Sequence, residues 1–102
     1  PQLSKAAVVS DPAGGDRPMP GAVVQYRLTA DLRATYFTNP VIVDPIPAGT
    51  SYVGGSLRLN GAVLSDAADS DPGHAEPDRI SVRLDPSRAE PSVVTFDVRI
   101  NE

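Results

Sequence analysis

The sequence predicts an all-β fold, an immunoglobulin-like antiparallel β-sandwich of about seven short strands. Eleven prolines are spread over 102 residues, so no stretch is long and periodic enough for a long amphipathic helix. Several short runs instead alternate apolar and polar residues at period two, as half-buried strands do. Clusters of Gly, Pro, Asn and Asp separate these runs and predict turns.

The stretch 41–49 organises the middle of the chain. Its β-branched run, 41–43, suits a buried strand. We expect the Asp-Pro pair at 44–45 to end that strand, because proline lacks a ladder donor and restricts the residue before it. Pro47 and Gly49 then turn the chain.

The remaining strands follow from alternation and turn signals. The run 22–32 alternates best, and 79–84 and 93–100 repeat the pattern with Ile80 and Phe96 facing inward. Asn60-Gly61 is the strongest two-residue hairpin signal. The segment 65–78 is rich in Asp, Ala, Pro and Gly, and we expect a loop there. The predicted strands are 3–9, 22–32, 36–43, 52–53, 56–59, 62–64, 79–84 and 93–100.

Length, composition and net charge limit which partners and which architectures are possible. The length predicts one domain, residues 1–102, and a hydrophobic fraction of 40% argues against disorder. A net charge of −4 with scattered basic residues makes nucleic acid an unsuitable partner. There is no cysteine for a disulfide or a thiolate metal site, and no apolar run approaches the ~20 residues that cross a membrane. The chain starts without Met, and we expect it to be a fragment of a longer polypeptide.

Four segments in order resemble the bacterial conserved repeat domain known as DUF11. They are GAVVQYRLT at 21–29, VDPIPAGTSYV at 43–53, GSLRLNG at 55–61 and VTFDVRI at 94–100. The match covers nearly the whole chain, and DPIPAG is its most specific part. The chain departs from the family at 30–35, where the family usually has an Asn-containing turn.

The resemblance implies an immunoglobulin-like module that occurs in tandem in large secreted and surface proteins of bacteria. It implies an extracellular or cell-surface location, neighbouring domains of the same polypeptide as partners, and contacts to other cell-surface proteins. The expected function is therefore a non-catalytic structural, spacer or adhesion-type module. The alternative is a ligand-binding module that recognises a carbohydrate or a protein through its loops.

The acidic stretch 65–73 is the one candidate metal site. Asp66, Asp69 and Asp71 place three carboxylates within six residues of a turn-forming loop, and calcium prefers such oxygen ligands. Asp44 could join them only if the loop folds back over the turn. The EF-hand spacing is absent, so we favour a solvated acidic loop over a calcium site.

Lys5 and Asn101 raise a second possibility, an intramolecular isopeptide bond of the kind known in other bacterial surface domains with an immunoglobulin-like fold. One residue lies on the first predicted strand and the other follows the last. Strand parity argues against the bond, because Asn101 falls on the face opposite the core, where no apolar surrounding would favour a neutral lysine.

No catalytic constellation stands out. His74, the only histidine, lies in a polar segment without a second nitrogen or sulfur ligand, and we expect it at the surface. No serine lies in a nucleophile elbow, so we predict that the domain is not an enzyme. Tyr36 and Phe37 are adjacent, so their side chains point to opposite faces of a strand and one of them should be exposed. They are therefore the best candidates for a contact with another domain or a ligand. A strand of a partner could also pair with an exposed sheet edge. Pro40, Pro45 and Pro91 would hinder such pairing.

Overall fold

A computed structural model describes residues 2–32, 40–67 and 71–102. Within these ranges the protein is all-β, which confirms the predicted fold class, and it contains nine strands rather than about seven. The strands are β1 (Gln2–Ser10), β2 (Val23–Asp31), β3 (Val41–Pro45), β4 (Thr50–Tyr52), β5 (Arg58–Leu59), β6 (Ala62–Val63), β7 (Gly73–Glu76), β8 (Arg79–Arg83) and β9 (Ser92–Ile100).

Two antiparallel sheets form an immunoglobulin-like sandwich. The larger sheet has the order β1-β2-β9-β5-β6, with β4 also paired to β9, and the smaller has the order β3-β8-β7. The core lies between them. It comprises Val24, Leu28, Ala30, Ile42, Leu57, Leu64, Ile80, Val82, Leu84, Val94, Phe96 and Val98.

The predicted alternation of β2, β8 and β9 is confirmed. Tyr26 lies directly opposite Phe96 in the β2–β9 ladder, and their ring centroids are 5.4 Å apart. Phe96, Ile80 and Val82 are fully buried. Period two therefore identified the core faces of these strands, because one face of each strand packs against the opposite sheet.

Strand β3 ends at the Asp-Pro pair, as predicted, but it includes both residues of the pair rather than stopping at Val43. The Ile46 amide donates to the Asp78 carbonyl across the β3–β8 ladder at 2.8 Å. Since backbone groups alternate in direction along a strand, the neighbouring Pro45 nitrogen points away from β8. Proline is tolerated here because β3 lies at the edge of its sheet among the described strands, so no ladder donor is lost.

The expected loop at 65–78 is wrong in part, because it contains strand β7. Gly73 is buried beneath two leucines: a Cβ added there would lie 2.6 Å from Leu64 Cδ1 and 3.2 Å from Leu57 Cδ2. Strand β7 pairs with β8, and the two leucine side chains pack over its glycine. His74 therefore lies half-buried on a strand, opposite Ser81, rather than in a loop.

The predicted Asn60-Gly61 hairpin is confirmed. Both residues have positive φ, 52° and 86°, as a type I′ turn requires, and they join β5 to β6. The Asn60 side chain also accepts a hydrogen bond from the Val93 amide at 2.8 Å. The turn is thereby attached to β9.

Strands β1 and β9 run in the same direction, because each is antiparallel to β2, which lies between them. Gln2 lies opposite Asp31 at one end of β2, whereas Arg99 lies opposite Val23 at the other end. The polypeptide therefore enters β1 at one end of the sheet and leaves β9 at the opposite end.

Candidate functional site

Asp66, from the predicted acidic site, lies beside Tyr52 and links several segments. One carboxylate oxygen accepts from the Tyr52 hydroxyl at 2.6 Å, and the other accepts from the Gly55 amide at 2.9 Å. The Asp66 carbonyl accepts from the Ala75 amide at 2.9 Å. This residue therefore connects β4, the following turn and the outer edge of β7.

Asp71 has a similar role at the start of β7. Its two carboxylate oxygens accept from the Ser65 amide at 2.6 Å and the Gly73 amide at 3.0 Å. The Asp71 carbonyl also accepts from the Arg83 guanidinium at 3.3 Å. Both described carboxylates of the acidic segment thus have backbone donors, which gives them a structural role without a metal ion.

Asp69 lies outside the described residues, so the three-carboxylate calcium site stays a prediction. Among residues 2–32, 40–67 and 71–102, no group of three or more Asp, Glu or His side chains converges as a ligand set. Asp44 does not join Asp66 or Asp71 in the described contacts and is paired elsewhere.

The Tyr52 hydroxyl lies at the centre of the hydrogen-bonded cluster that contains Asp66. It donates to Asp66 and accepts from the Leu57 amide at 3.1 Å. Burial raises the pKa of Tyr52 to about 12, and the hydrogen bond to the Asp66 carboxylate adds to the rise. A phenol held neutral in this way is a stable donor, which suits a structural link better than proton transfer near neutral pH.

A second charged cluster joins the two sheets at the side formed by β1 and β3. Lys5 Nζ lies 2.9 Å from Asp44 Oδ2 and donates to Oδ1 at 3.1 Å. The same ammonium lies 4.4 Å from the Tyr26 ring centroid, a cation–π distance. The Asp44 side chain is only 12% exposed, so Lys5 compensates a nearly buried carboxylate.

The Lys5–Asn101 isopeptide bond is not compatible with this arrangement. Lys5 lies beside Leu28, which lies opposite Val94, whereas Asn101 follows the far end of β9. Seven residues of strand separate the two positions by roughly 20 Å. Asn101 is exposed and instead accepts from the Ser51 hydroxyl at 2.7 Å.

Asp11 forms a further cluster that the sequence did not single out. Its carboxylate accepts backbone N–H groups from Ala13, Gly15 and Arg17 at 2.8, 2.9 and 3.1 Å. These bonds, with that from Arg17 contributing most, lower the pKa of Asp11. An Asp followed by Pro and Gly is a turn signal, but the loop geometry that brings three amides to one carboxylate depends on the folded backbone.

A groove lies on the outer face of the larger sheet. It has a volume of about 610 Å³, and its lining includes Arg27, Thr29, Asn60, Arg88, Glu90 and Thr95. No aromatic side chain lines it in the described part of the chain. Tyr36 and Phe37, the predicted contact residues, lie outside the described residues.

No protein-family model, curated protein or solved structure matches this chain. The described residues contain no helix that is long and apolar enough to cross a membrane. The arrangement of the side chains is therefore the basis for the function proposed below.

Proposed function

We propose that this domain is a non-catalytic structural module, a spacer or adhesion-type unit, of a secreted or surface-exposed bacterial protein. The observation that carries this proposal is the common direction of β1 and β9. Because the chain enters at one end of the sheet and leaves at the other, successive units would follow one another end to end. The longest dimension is 44 Å, against 26 and 22 Å across.

The polar clusters support the same function. Asp66, Asp71 and Asp11 accept hydrogen bonds from backbone amides, and Lys5 joins the two sheets through Asp44. These interactions hold loops and sheets in place, as a load-carrying module requires. The resemblance to tandem repeats of bacterial surface proteins agrees with this function and supplies the proposed location.

A tandem protein tests the spacer function. Two copies of the chain, each with Ala7→Pro to prevent pairing between their β1 strands, are joined directly, and small-angle X-ray scattering compares the tandem with the single chain. We expect the maximum dimension to grow by roughly the 44 Å length of one unit. A tandem whose maximum dimension hardly exceeds that of the single chain would show that the two units fold back side by side, and would contradict the proposal.

The outer groove favours a second candidate, the binding of a polar carbohydrate or protein ligand. Arg27 and Arg88 supply guanidinium donors there, and Thr29 and Thr95 supply hydroxyl groups. Screening the chain against glycans and surface proteins, with Arg27→Ala as the matched variant, tests this function. Binding that is lost in the variant would support it, and equal binding by both proteins would place any ligand elsewhere.

A further inference from the structure

Among the described strands, β1 is paired on one side only, with β2, and its other edge is open for pairing with another strand. The Ala22 carbonyl accepts from the Ile100 amide at 2.9 Å, so even-numbered residues of β2 direct their backbone groups toward β9. The odd-numbered residues, such as Arg27, direct theirs toward β1, where Arg27 lies opposite Ala6. It follows that the odd-numbered residues of β1 direct N–H and C=O groups outward. They are Leu3, Lys5, Ala7 and Val9.

The β1 edge lacks the features that usually protect such edges. Its register with β2 is continuous over nine residues, without a bulge, and it contains no proline. Its one charged side chain, Lys5, is paired with Asp44. In addition, Leu3 and Val8 are large hydrophobic side chains that are 64% and 63% exposed.

The other edges of the described sheets are blunted. Strand β3 ends with Pro45, whose outward position has no N–H donor. On β7 the outward amide of Ala75 already donates to the Asp66 carbonyl. Strand β6 has only two residues. Among the described strands, β1 therefore offers the longest unprotected ladder.

We propose that the β1 edge pairs with the β1 edge of a second copy of this chain, in antiparallel orientation about Ala6. Leu3 then lies opposite Val9 of the second copy, and Lys5 lies opposite Ala7. The outward groups of Leu3, Lys5, Ala7 and Val9 find partners in both copies. This register covers both exposed hydrophobic side chains, because Val8 lies opposite Ser4 and Leu3 opposite Val9.

Repulsion between like charges favours this register over the one that is shifted by two residues toward the start of β1. A shift by two residues toward the start of β1 would place Lys5 opposite Lys5, and directly opposed like charges destabilise a ladder. A shift the other way shortens the ladder and leaves Leu3 unpaired. The pairing joins the larger sheets of two copies into one continuous sheet, with the two units running in opposite directions.

Two variants of Ala7 test the pairing in the full chain. Ala7→Pro removes an outward N–H and leaves the β1–β2 bonds intact, so we expect a monomer with nearly unchanged unfolding temperature. Ala7→Lys should also abolish the dimer, because it places a second positive charge opposite Lys5. Val63→Lys, at a hydrophobic position that is 60% exposed on β6, is the matched control and should dimerise like the unmodified chain.

Analytical ultracentrifugation over a concentration series measures the association. We expect a monomer–dimer equilibrium for the unmodified chain and for Val63→Lys, and monomers for both Ala7 variants. An unmodified chain that stays monomeric up to millimolar concentration would overturn the proposal. A dimer that persists in both folded Ala7 variants would also overturn it.

Cysteine crosslinking tests the register, since the chain has no cysteine of its own. Ala6 faces its own counterpart at a non-hydrogen-bonded position, where Cα atoms lie about 4.5 Å apart, within disulfide range. Ala6→Cys should therefore form an intermolecular disulfide on mild oxidation, and Ala7→Cys should form much less. Mass spectrometry without reductant reads the result, and equal crosslinking of the two variants would contradict the register.

Discussion

The Tyr52 hydroxyl joins three segments that are separated along the chain. It donates to Asp66 and accepts from the Leu57 amide. Removing the hydroxyl therefore leaves the Asp66 carboxylate without this donor and the Leu57 amide without this acceptor. We expect Tyr52→Phe to cost about 1–3 kcal/mol of unfolding free energy. For a domain of this size, each kcal/mol lowers the unfolding temperature by about 4–8 °C.

Thermal unfolding checks this prediction, with Tyr26→Phe as the control. The described contacts of Tyr26, with Phe96 and with Lys5, are made by its ring, which phenylalanine retains. Its unfolding temperature should change much less. Similar losses in the two variants would mean that the Tyr52 hydroxyl has no special structural role.

The raised pKa of Tyr52 predicts how its contribution depends on pH. Because the folded-state pKa of about 12 exceeds the ordinary value of 10.0, folding holds the phenolic proton more tightly than the unfolded chain does. The contribution is complete below pH 10 and declines as the pH rises toward 12. Urea midpoints of the unmodified chain and Tyr52→Phe should therefore converge above pH 10, and a constant difference up to pH 11.5 would contradict the assignment.

At the scale of the elements, β7 packs against the core at Gly73, where there is no room for a side chain. A Cβ at this position would lie 2.6 Å from Leu64 Cδ1, closer than two carbons can approach. We expect Gly73→Ala to destabilise the domain by about 1–3 kcal/mol through overpacking. At the control position, Gly54, a Cβ would meet only Asp66 Oδ2 at 3.6 Å, so Gly54→Ala should have little effect on the urea midpoint.

The predicted calcium site belongs to the loop that precedes β7. If Asp66, Asp69 and Asp71 bind the ion, excess calcium at a hundred times its dissociation constant should stabilise the fold by about 2.7 kcal/mol. The expected shift in unfolding temperature relative to excess chelator is on the order of 10 °C. Asp69→Ala should abolish the shift and Asp85→Ala, in a different loop, should retain it.

Superimposable unfolding curves in calcium and chelator would contradict the calcium site. Asp66 and Asp71 would then act only as acceptors for the amides and the hydroxyl that they already bind. In that case Asp66→Ala should still destabilise the domain, because the Gly55 amide and the Tyr52 hydroxyl lose their partner.

The elements that the sequence predicted well are those with strong local patterns. Alternation identified β2, β8 and β9, and Asn60-Gly61 identified the hairpin, because each signal lies within a few residues. Strand β7, with the sequence Gly-His-Ala-Glu, has little intrinsic β-propensity and forms because distant leucines cover it.

In the candidate site, too, local sequence patterns do not predict contacts between residues that are distant along the chain. Composition pointed to Asp66 and Asp71, yet their partners Tyr52 and Ser65 depend on how the loop returns to the sheet. The Lys5–Asp44 pair joins residues 39 positions apart. No local pattern connects them, because their contact depends on how the two sheets are stacked.

At the scale of the whole molecule, the direction of the first and last strands predicts its response to force. Pulling the two ends of the chain apart loads the β1–β2 and β2–β9 ladders along the strands, so many hydrogen bonds must break together. We expect the domain to unfold at high force in single-molecule pulling. This resistance is what a spacer under tension requires.

Two proline variants separate the β1–β2 ladder from other sources of resistance. Ala6→Pro removes an amide that points to β2, whereas Ala7→Pro removes one that points outward. Among folded molecules, the rupture force should therefore fall in Ala6→Pro and stay unchanged in Ala7→Pro. Equal forces in the two variants would show that β1 carries no load, and would place the resistance in the β2–β9 ladder alone.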